Sequence, residues 1–530
     1  MSSAADPKDG QPFPFCFVQL RVTVIKTNTY TMRTLYLICF IIISISLGPT
    51  GISYAQSFSK QDSQNLDHYL EKTNRRWQTP GMAIALIKGD SVIYERHLGL
   101  ADTRTGAKVD EQTLFAIGST TKAFTSTALA MLVDQGKIDW DDPVIQYLPD
   151  FALKDQRLSS LVTIRDLLSH RTGLSRTSYL FYNSGLSPET MMHKLRYYDA
   201  AYPFRAGFRY QNVMYTVAGL VIEKVSGMSY ENFITRRILE PLGMNRTRLQ
   251  LASLEEAGNV SSPNRLENGS TQPIPWRNID NVAPAGAIIS DLQDMKRWAQ
   301  FQLHLGEFRG RRLVKEKTLQ ETHETQSILN LESMWAIINP QADRLYYGMG
   351  WFIQYYGDHK VLEHAGNIDG MSAHLALIPD ADMAVVILTN LGQNFSTAGI
   401  VTRICNLSFD RPLHDYTRSV FAKLHGSNPN GDGPDTKPLP NTAPSLDLQS
   451  YTGLFENPKF APLRITLQEG KLHARFGNFK GILEHWQHDS WKIHVDDPIM
   501  QSLFISFMVD SDAQITEAKL ENIGTFQRKK

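Results

Sequence analysis

Ser119 and Lys122 stand three positions apart in Phe115-Ala116-Ile117-Gly118-Ser119-Thr120-Thr121-Lys122, where an apolar, strand-like run passes into a helix-like one. That pairing could perform nucleophilic catalysis. A serine hydroxyl attacks well only when a nearby base takes its proton, and a lysine one helical turn on is within reach. Lysine is normally protonated, so the pairing also needs a setting that lowers its pKa through burial or neighbouring positive charge. Two later features can complete such a site: Tyr210-Gln211-Asn212 and His364-Ala365-Gly366.

Each of these patterns occurs twice, so context must choose between copies. Ser57-Phe58-Ser59-Lys60 repeats the serine–lysine spacing in a polar segment with no apolar run before it. Tyr230-Glu231-Asn232 opens an amphipathic stretch whose Phe233, Ile234 and Ile238 face a core, so Tyr230 reads as packing. His97-Leu98-Gly99 follows an early hairpin and reads as packing or turn. Ser119 instead enters a mostly apolar helix with Phe124, Ala128, Met131 and Leu132 at helical spacing, stopped by Gly136. Backbone N–H groups at a helix start favour developing negative charge. Tyr210 sits in a loop opening onto a helix near Val213, from which side chains can project into a cleft. His364 comes just before an apolar strand over 372–378, and Gly366 permits the close backbone approach needed where a substrate pairs with a strand edge.

The elements that must position these residues are mixed. A hairpin over 81–94 turns at Lys88-Gly89-Asp90, helices are expected over 164–168, 213–225 and 292–303, and strands over 347–355, 372–378 and 383–389. Helices in the middle with strands from both ends predict an α+β fold: an antiparallel sheet joins early and late segments, flanked by helices with an all-helical insertion. Residues 427–445 are rich in Pro, Gly, Asn and Asp, and a linker is expected over 411–445. Beyond it, alternating short strands predict a small all-β barrel or sandwich over 446–530.

The N-terminus reads differently. An apolar core over 35–47 follows Arg33 and precedes Ser53-Tyr54-Ala55, a small-x-small cleavage pattern. This is how a secretory signal reads, so residues 1–55 are expected as leader and the larger folded domain as 56–410. A secreted or periplasmic protein follows, with an uncleaved membrane anchor as the alternative. Cys16 and Cys39 fall in that leader; Cys405 is then alone, which leaves no intramolecular disulfide and no cysteine-based metal site.

Composition excludes other classes. Lys+Arg and Asp+Glu are 54 each, so the basic excess that nucleic-acid binding needs is missing. The sequence has no Gly-x-Ser-x-Gly elbow, no His-Glu-x-x-His helix and no Gly-rich phosphate loop. His485-Trp486-Gln487-His488 lacks the glutamate and the helical setting of a zinc site. No metal and no organic cofactor are expected.

The order Ser-x-x-Lys, Tyr-x-Asn, His-x-Gly resembles the serine β-lactamase and penicillin-binding superfamily. It is most similar to the branch holding class C β-lactamases, D-alanyl-D-alanine carboxypeptidases, D-aminopeptidases and related esterases, because Tyr-x-Asn stands second. Leu167-Leu168-Ser169-His170-Arg171-Thr172-Gly173-Leu174, Pro241-Leu242-Gly243-Met244 and Tyr347-Gly348-Met349-Gly350-Trp351 look like further signatures of it. The segment opening Tyr451-Thr452-Gly453-Leu454-Phe455 resembles a lipocalin-like accessory domain.

The resemblance implies a role for each residue. Ser119 would be nucleophile, Lys122 general base and Tyr210 proton shuttle. Asn212 would bond the substrate amide and Lys122, and the N–H groups of Ser119 and Asn367 would form the oxyanion hole. His364 takes the third-motif place, usually lysine, beside Gly366. A Lys-Thr-Gly motif offers a charge and a hydroxyl to a substrate carboxylate; His364-Ala365-Gly366 offers neither if the histidine is neutral. Weak or absent β-lactam turnover is therefore expected unless an arginine compensates. The partner is a small-molecule or peptide substrate, with association with the cell wall and oligomeric state left open.

Overall fold

The computed structural model describes residues 58–529, except 176–180, 255, 268, 331–340, 342–343, 426–436, 498–499 and 501. The expected leader over 1–55 and Ser57 lie outside the described residues, as does the middle of the expected linker.

A nine-stranded antiparallel sheet organises the part before the barrel, and its order explains how distant segments meet. It runs Ser327–Ile328, Leu345–Tyr347, Phe352–Tyr356, His359–Ile368, Met371–Ile378, Met383–Thr389, Gly81–Lys88, Ser91–Asp102, Ala107–Lys108. The early strand Gly81–Lys88 pairs with the late strand Met383–Thr389, with Ile84 opposite Ile387. Both strands are buried along nearly their whole length, which accounts for their continuous apolar runs. Alternate residues serve two cores. Ala83, Ala85, Leu375 and Val386 face the helical insertion, whereas Ile84, Leu86, Ala376 and Val385 face the helices Lys60–Trp77 and Ser396–Ser408. Glu363 and His364 split the same way. Glu363 bonds His374 Nε2 at 3.1 Å on the back face, leaving His364 on the face of the insertion.

Two sequence expectations change. The single strand expected over 347–355 is two antiparallel strands, with Tyr347 opposite Phe352. Gly350 turns the chain between them at φ +90°, and a Cβ there would meet the Lys122 carbonyl at 3.0 Å. Within 411–445, residues Tyr416–His425 form a helix rather than linker. Gly399 admits it, since a Cβ there would come within 2.8 Å of Thr417. Arg76 anchors it through a forked ion pair to Asp415 at 3.2 and 3.0 Å.

The C-terminal part is a closed eight-stranded barrel running from Gly453–Glu456 to Gly524–Arg528. Inward positions alternate along each strand, and Phe455, Phe476, Trp491, Phe507 and Phe526 are buried. Interleaved aromatic rings, such as Phe476 and Phe526 at 5.7 Å, make the interior a packed core.

Candidate active site

Ser119 is placed by a short, tightly held turn. Phe115–Ala116 pairs with Ile289–Ser290, and Ile117 N–H donates to Ile288 O at 3.0 Å. Gly118 then turns at φ +51°, opening a single 3-10 turn over Gly118–Thr120 before the helix Thr121–Asp134. Ser119 thus stands just before that helix, where N–H groups have no partner within the helix. Thr120 Oγ1 closes the turn by donating to Ile117 O at 2.9 Å.

Lys122 lies one turn further on and is completely buried. Its Nζ is 3.0 Å from Ser119 Oγ and donates to Ala285 O at 2.7 Å. The rings of Tyr210 and Tyr215 cover it, 4.8 and 5.2 Å from Nζ to their centroids. The carbonyl of Ala285 fixes one amine hydrogen and so directs the rest of the amine toward Ser119. Sequence reasoning did not single out Ala285, whose side chain carries no chemistry; its contribution is a backbone carbonyl.

Tyr210 precedes the helix Asn212–Ser226 and is buried. His170 holds this loop. Its Nδ1 accepts the Gln211 N–H at 3.1 Å, and its ring lies 4.3 Å from Tyr210. His170 was part of a signature, but its partner is 41 residues away and spacing could not reveal it. Asn212 is brought to the same cluster, yet its Nδ2 donates to Tyr182 Oη and its buried Oδ1 accepts no bond. The expected bond between Asn212 and Lys122 is therefore not formed here.

His364 sits inside the strand His359–Ile368, not merely ahead of the strand over 372–378, and pairs with Leu375. Its Nδ1 donates to Ala365 O at 2.7 Å, so Nε2 is the acceptor for Tyr347 Oη at 3.1 Å. Burial and the nearby Lys122 amine push its pKa down to about 3, so the ring is neutral at physiological pH. Both nitrogens are engaged within the protein. The ring centroid lies 6.2 Å from that of Tyr210.

Gly366 and Asn367 complete the cluster. A Cβ on Gly366 would stand 1.9 Å from Ile117 O and 3.0 Å from Ser119 N. One on Gly118 would stand 3.0 Å from Asn367 N. The close approach expected at Gly366 for a substrate is thus first required by the chain itself. Two backbone segments cross there with no room for a side chain, bringing the Ser119 and Asn367 N–H groups to one place. Ser372 Oγ donates to Asn367 Oδ1 at 2.5 Å and fixes that residue.

A shallow recess lies near this crossing, lined in part by Ala116, Leu251, Trp276, Gly286 and Ile368. Arg277 belongs to its lining and grips Asp369 with Nε and Nη2 at 3.0 and 2.8 Å. Among the described residues no group of three His, Cys, Asp or Glu is arranged to hold a metal ion, and no helix is long and apolar enough to cross a membrane.

Comparison with known proteins follows the same lines. The beta-lactamase family pattern matches residues 66–403. The chain belongs to the beta-lactamase family. A domain of unknown function, DUF3471, matches residues 437–529, the barrel and its approach. This beta-lactamase-family chain is 30% identical over 435 residues to the unguisins hydrolase of Aspergillus campestris, covering 77% of this chain and 78% of that one. It is 27% identical over 345 residues to protein flp of Staphylococcus aureus, covering 64% of this chain and 65% of that one. Among solved structures, the octameric penicillin-binding protein homologue from Pyrococcus abyssi matches with TM-score 0.60 and 20% identity, over 88% of this chain and all of that one. That likeness establishes the penicillin-binding-protein-like fold.

Proposed function

We propose that this chain is an exported serine hydrolase that cleaves an amide or ester bond through an acyl-enzyme on Ser119. The observation that carries this reading is the buried Lys122 amine, 3.0 Å from Ser119 Oγ and steered by the Ala285 carbonyl. Lys122 acts in its neutral form: as Oγ attacks the carbonyl carbon, its proton passes to Nζ. Negative charge grows on the carbonyl oxygen, where the N–H groups of Ser119 and Asn367 meet it; such donors are typically worth a few kcal/mol each. Tyr210, whose ring covers Lys122, gives its phenolic proton to the departing amine or alcohol and regains one from the Lys122 ammonium, which returns Lys122 to its neutral form. Water then attacks the acyl-enzyme by the reverse path, and Ser119 is restored.

The substrate class follows from what surrounds that chemistry. His364 is neutral with both nitrogens engaged, and Arg277 already faces carboxylates, so a substrate carboxylate finds no uncompensated charge in either. These features favour an uncharged peptide or ester acyl group over a β-lactam. A relative named for hydrolysing unguisins supports the hydrolytic reading. Ester cleavage is close behind amide cleavage, because an alcohol leaving group needs less protonation.

The test is a fluorophosphonate probe with a short-chain p-nitrophenyl ester. Wild type is expected to label and turn over, Ser119→Ala to do neither, and nitrocefin to be cleaved weakly or not at all. Wild type that fails to label, or labelling that persists in Ser119→Ala, would sink the catalytic assignment.

A further inference from the structure

The strand His359–Ile368 and the strand Met371–Ile378 are joined by a two-residue turn, Asp369-Gly370, with φ +32° and +85°. Positive φ at both central residues is the hairpin geometry whose twist suits paired strands, and Asp-Gly is a favoured sequence for it. Asp369 is not glycine, so its conformation persists because its surroundings hold it. From behind, Gly370 lies against Pro263 and Asn264, and Gly370 O accepts the Asn264 N–H at 3.0 Å. From the front, the Arg277 fork holds the Asp369 carboxylate.

That fork is not self-supporting. Arg277 Nη1 lies 3.7 Å from Asp497 Oδ2, and Asp497 belongs to the C-terminal barrel. The three side chains are 9, 12 and 4% exposed for Arg277, Asp369 and Asp497, so this is a buried charge network at the seam of two domains. Asp497 is itself fixed, accepting the Met500 N–H through Oδ1 at 2.9 Å. The turn it reaches begins two residues after Asn367.

The barrel grips the other side of the site as well. Lys194 Nζ donates to Pro458 O and Phe460 O at 3.0 and 2.9 Å, and Tyr198 Oη donates to Lys459 O at 3.0 Å. Gly477 meets the Ser184 carbonyl so closely that a Cβ would stand 2.4 Å from it. The segment so held begins two residues after Tyr182, the partner of Asn212.

We propose that the barrel is a working part of the active site, with Asp497 and Arg277 as positioning residues that hold the Asp369-Gly370 turn and, through it, the Asn367 N–H. This rests on the proposed reading of Ser119 as nucleophile. A donor displaced by a fraction of an ångström still binds a ground-state carbonyl but serves the oxyanion less well. The signature is therefore a fall in kcat with KM kept, which loosened packing alone does not give.

The experiment uses the full chain. Asp497→Asn keeps shape and removes charge, Arg277→Lys keeps charge and removes the fork, and Arg277→Met removes both. Glu484→Gln, at an exposed pair with His494 elsewhere on the barrel, is the control. Asp497→Asn is expected to lower the fluorophosphonate labelling rate and kcat for the short-chain ester about tenfold each, with KM within twofold. Arg277→Met should lose more and Arg277→Lys less. Asp497→Asn should add little on top of Arg277→Met, because both act through one turn. If Arg277→Met does not fold, the other two variants decide. Wild-type kcat in Asp497→Asn, a loss confined to KM, or fully multiplying losses would overturn the proposal. Wild type that does not label on Ser119 would instead remove the reading beneath it, so the two failures are distinguishable.

Discussion

His364 ties the site to the stability of the whole domain, and lowering the pH exposes that link. Its pKa falls from 6.5 to about 3 in the folded protein because burial and Lys122 disfavour a second ring proton. The unfolded chain takes up that proton as pH drops through 6.5, whereas the native state resists until about 3. Below 6.5 the unfolded state binds more protons, so stability is complete above that pH and declines as pH falls. One pKa unit is 1.36 kcal/mol, so His364 alone should cost about 2 kcal/mol between pH 6.5 and 5. His323, buried against Trp351 and also held down to about 3, should cost a similar amount. Asp291 opposes them, because its pKa is raised to about 6 and the native state gains a proton there first. Each histidine is already half protonated in the unfolded chain at pH 6.5, so the wild-type loss should be roughly 2 kcal/mol from pH 6.5 to 5. The assay is urea unfolding followed by tryptophan fluorescence at both pH values, for wild type and His364→Gln. Glutamine can still bond Ala365 O but cannot titrate, so the stability difference should move about 2 kcal/mol in its favour at pH 5. An unchanged difference at the two pH values would refute the claim that His364 is buried neutral.

Two further predictions test the same architecture. Gly366→Ala places a Cβ 1.9 Å from Ile117 O, so the strand must move away from the Ser119 turn. Ester kcat/KM should fall at least about 100-fold and stability by about 1–3 kcal/mol; activity near wild type would disprove the crossing. Asp291→Asn should stabilise the protein at pH 7 by roughly 2 kcal/mol and make no difference near pH 3. Arg246 lies 3.1 Å from Asp291, yet burial and the charge of Asp294 outweigh it and raise the carboxyl pKa. Amide N–H at the new residue can replace the proton, so a destabilised variant in urea at pH 7 would show that the ion pair prevails.

What the sequence made legible was local. Ser119 and Lys122 are three residues apart on one helical turn, so spacing alone places their side chains together. Gly81–Lys88 and Met383–Thr389 carry apolar runs that only a doubly covered strand explains. The strand His359–Ile368 escaped notice because Lys360, Glu363 and His364 make it look polar, although Glu363 and His364 are buried on opposite faces. The signature Tyr347-Gly348-Met349-Gly350-Trp351 hides a turn, since Gly350 sits at φ +90° against the Lys122 helix. His170, Ala285 and Tyr182 act through partners that no periodicity connects: a backbone N–H, a lysine and an asparagine side chain. The helix Tyr416–His425 follows a polar, proline-containing stretch, and its apolar side chains Tyr416, Val420 and Phe421 find partners such as Trp77 that lie far away in the sequence.

The departure at His364-Ala365-Gly366 can be weighed against its surroundings. Substituting histidine for lysine removes a charge only if the ring stays neutral and if no other cation fills the gap. The first condition is met by burial and by the Tyr347 and Ala365 bonds, which use both nitrogens. For the second, Arg277 lies by the hairpin that follows Asn367, and two carboxylates already flank it, Asp369 at 2.8 Å and Asp497 at 3.7 Å. Freeing that guanidinium for a substrate carboxylate would mean breaking a buried pair, typically a cost of about 3–5 kcal/mol. In this arrangement the arginine links the Asp369-Gly370 hairpin to the barrel. Carboxylate recognition and barrel attachment compete for a single side chain, and the geometry gives it to the barrel.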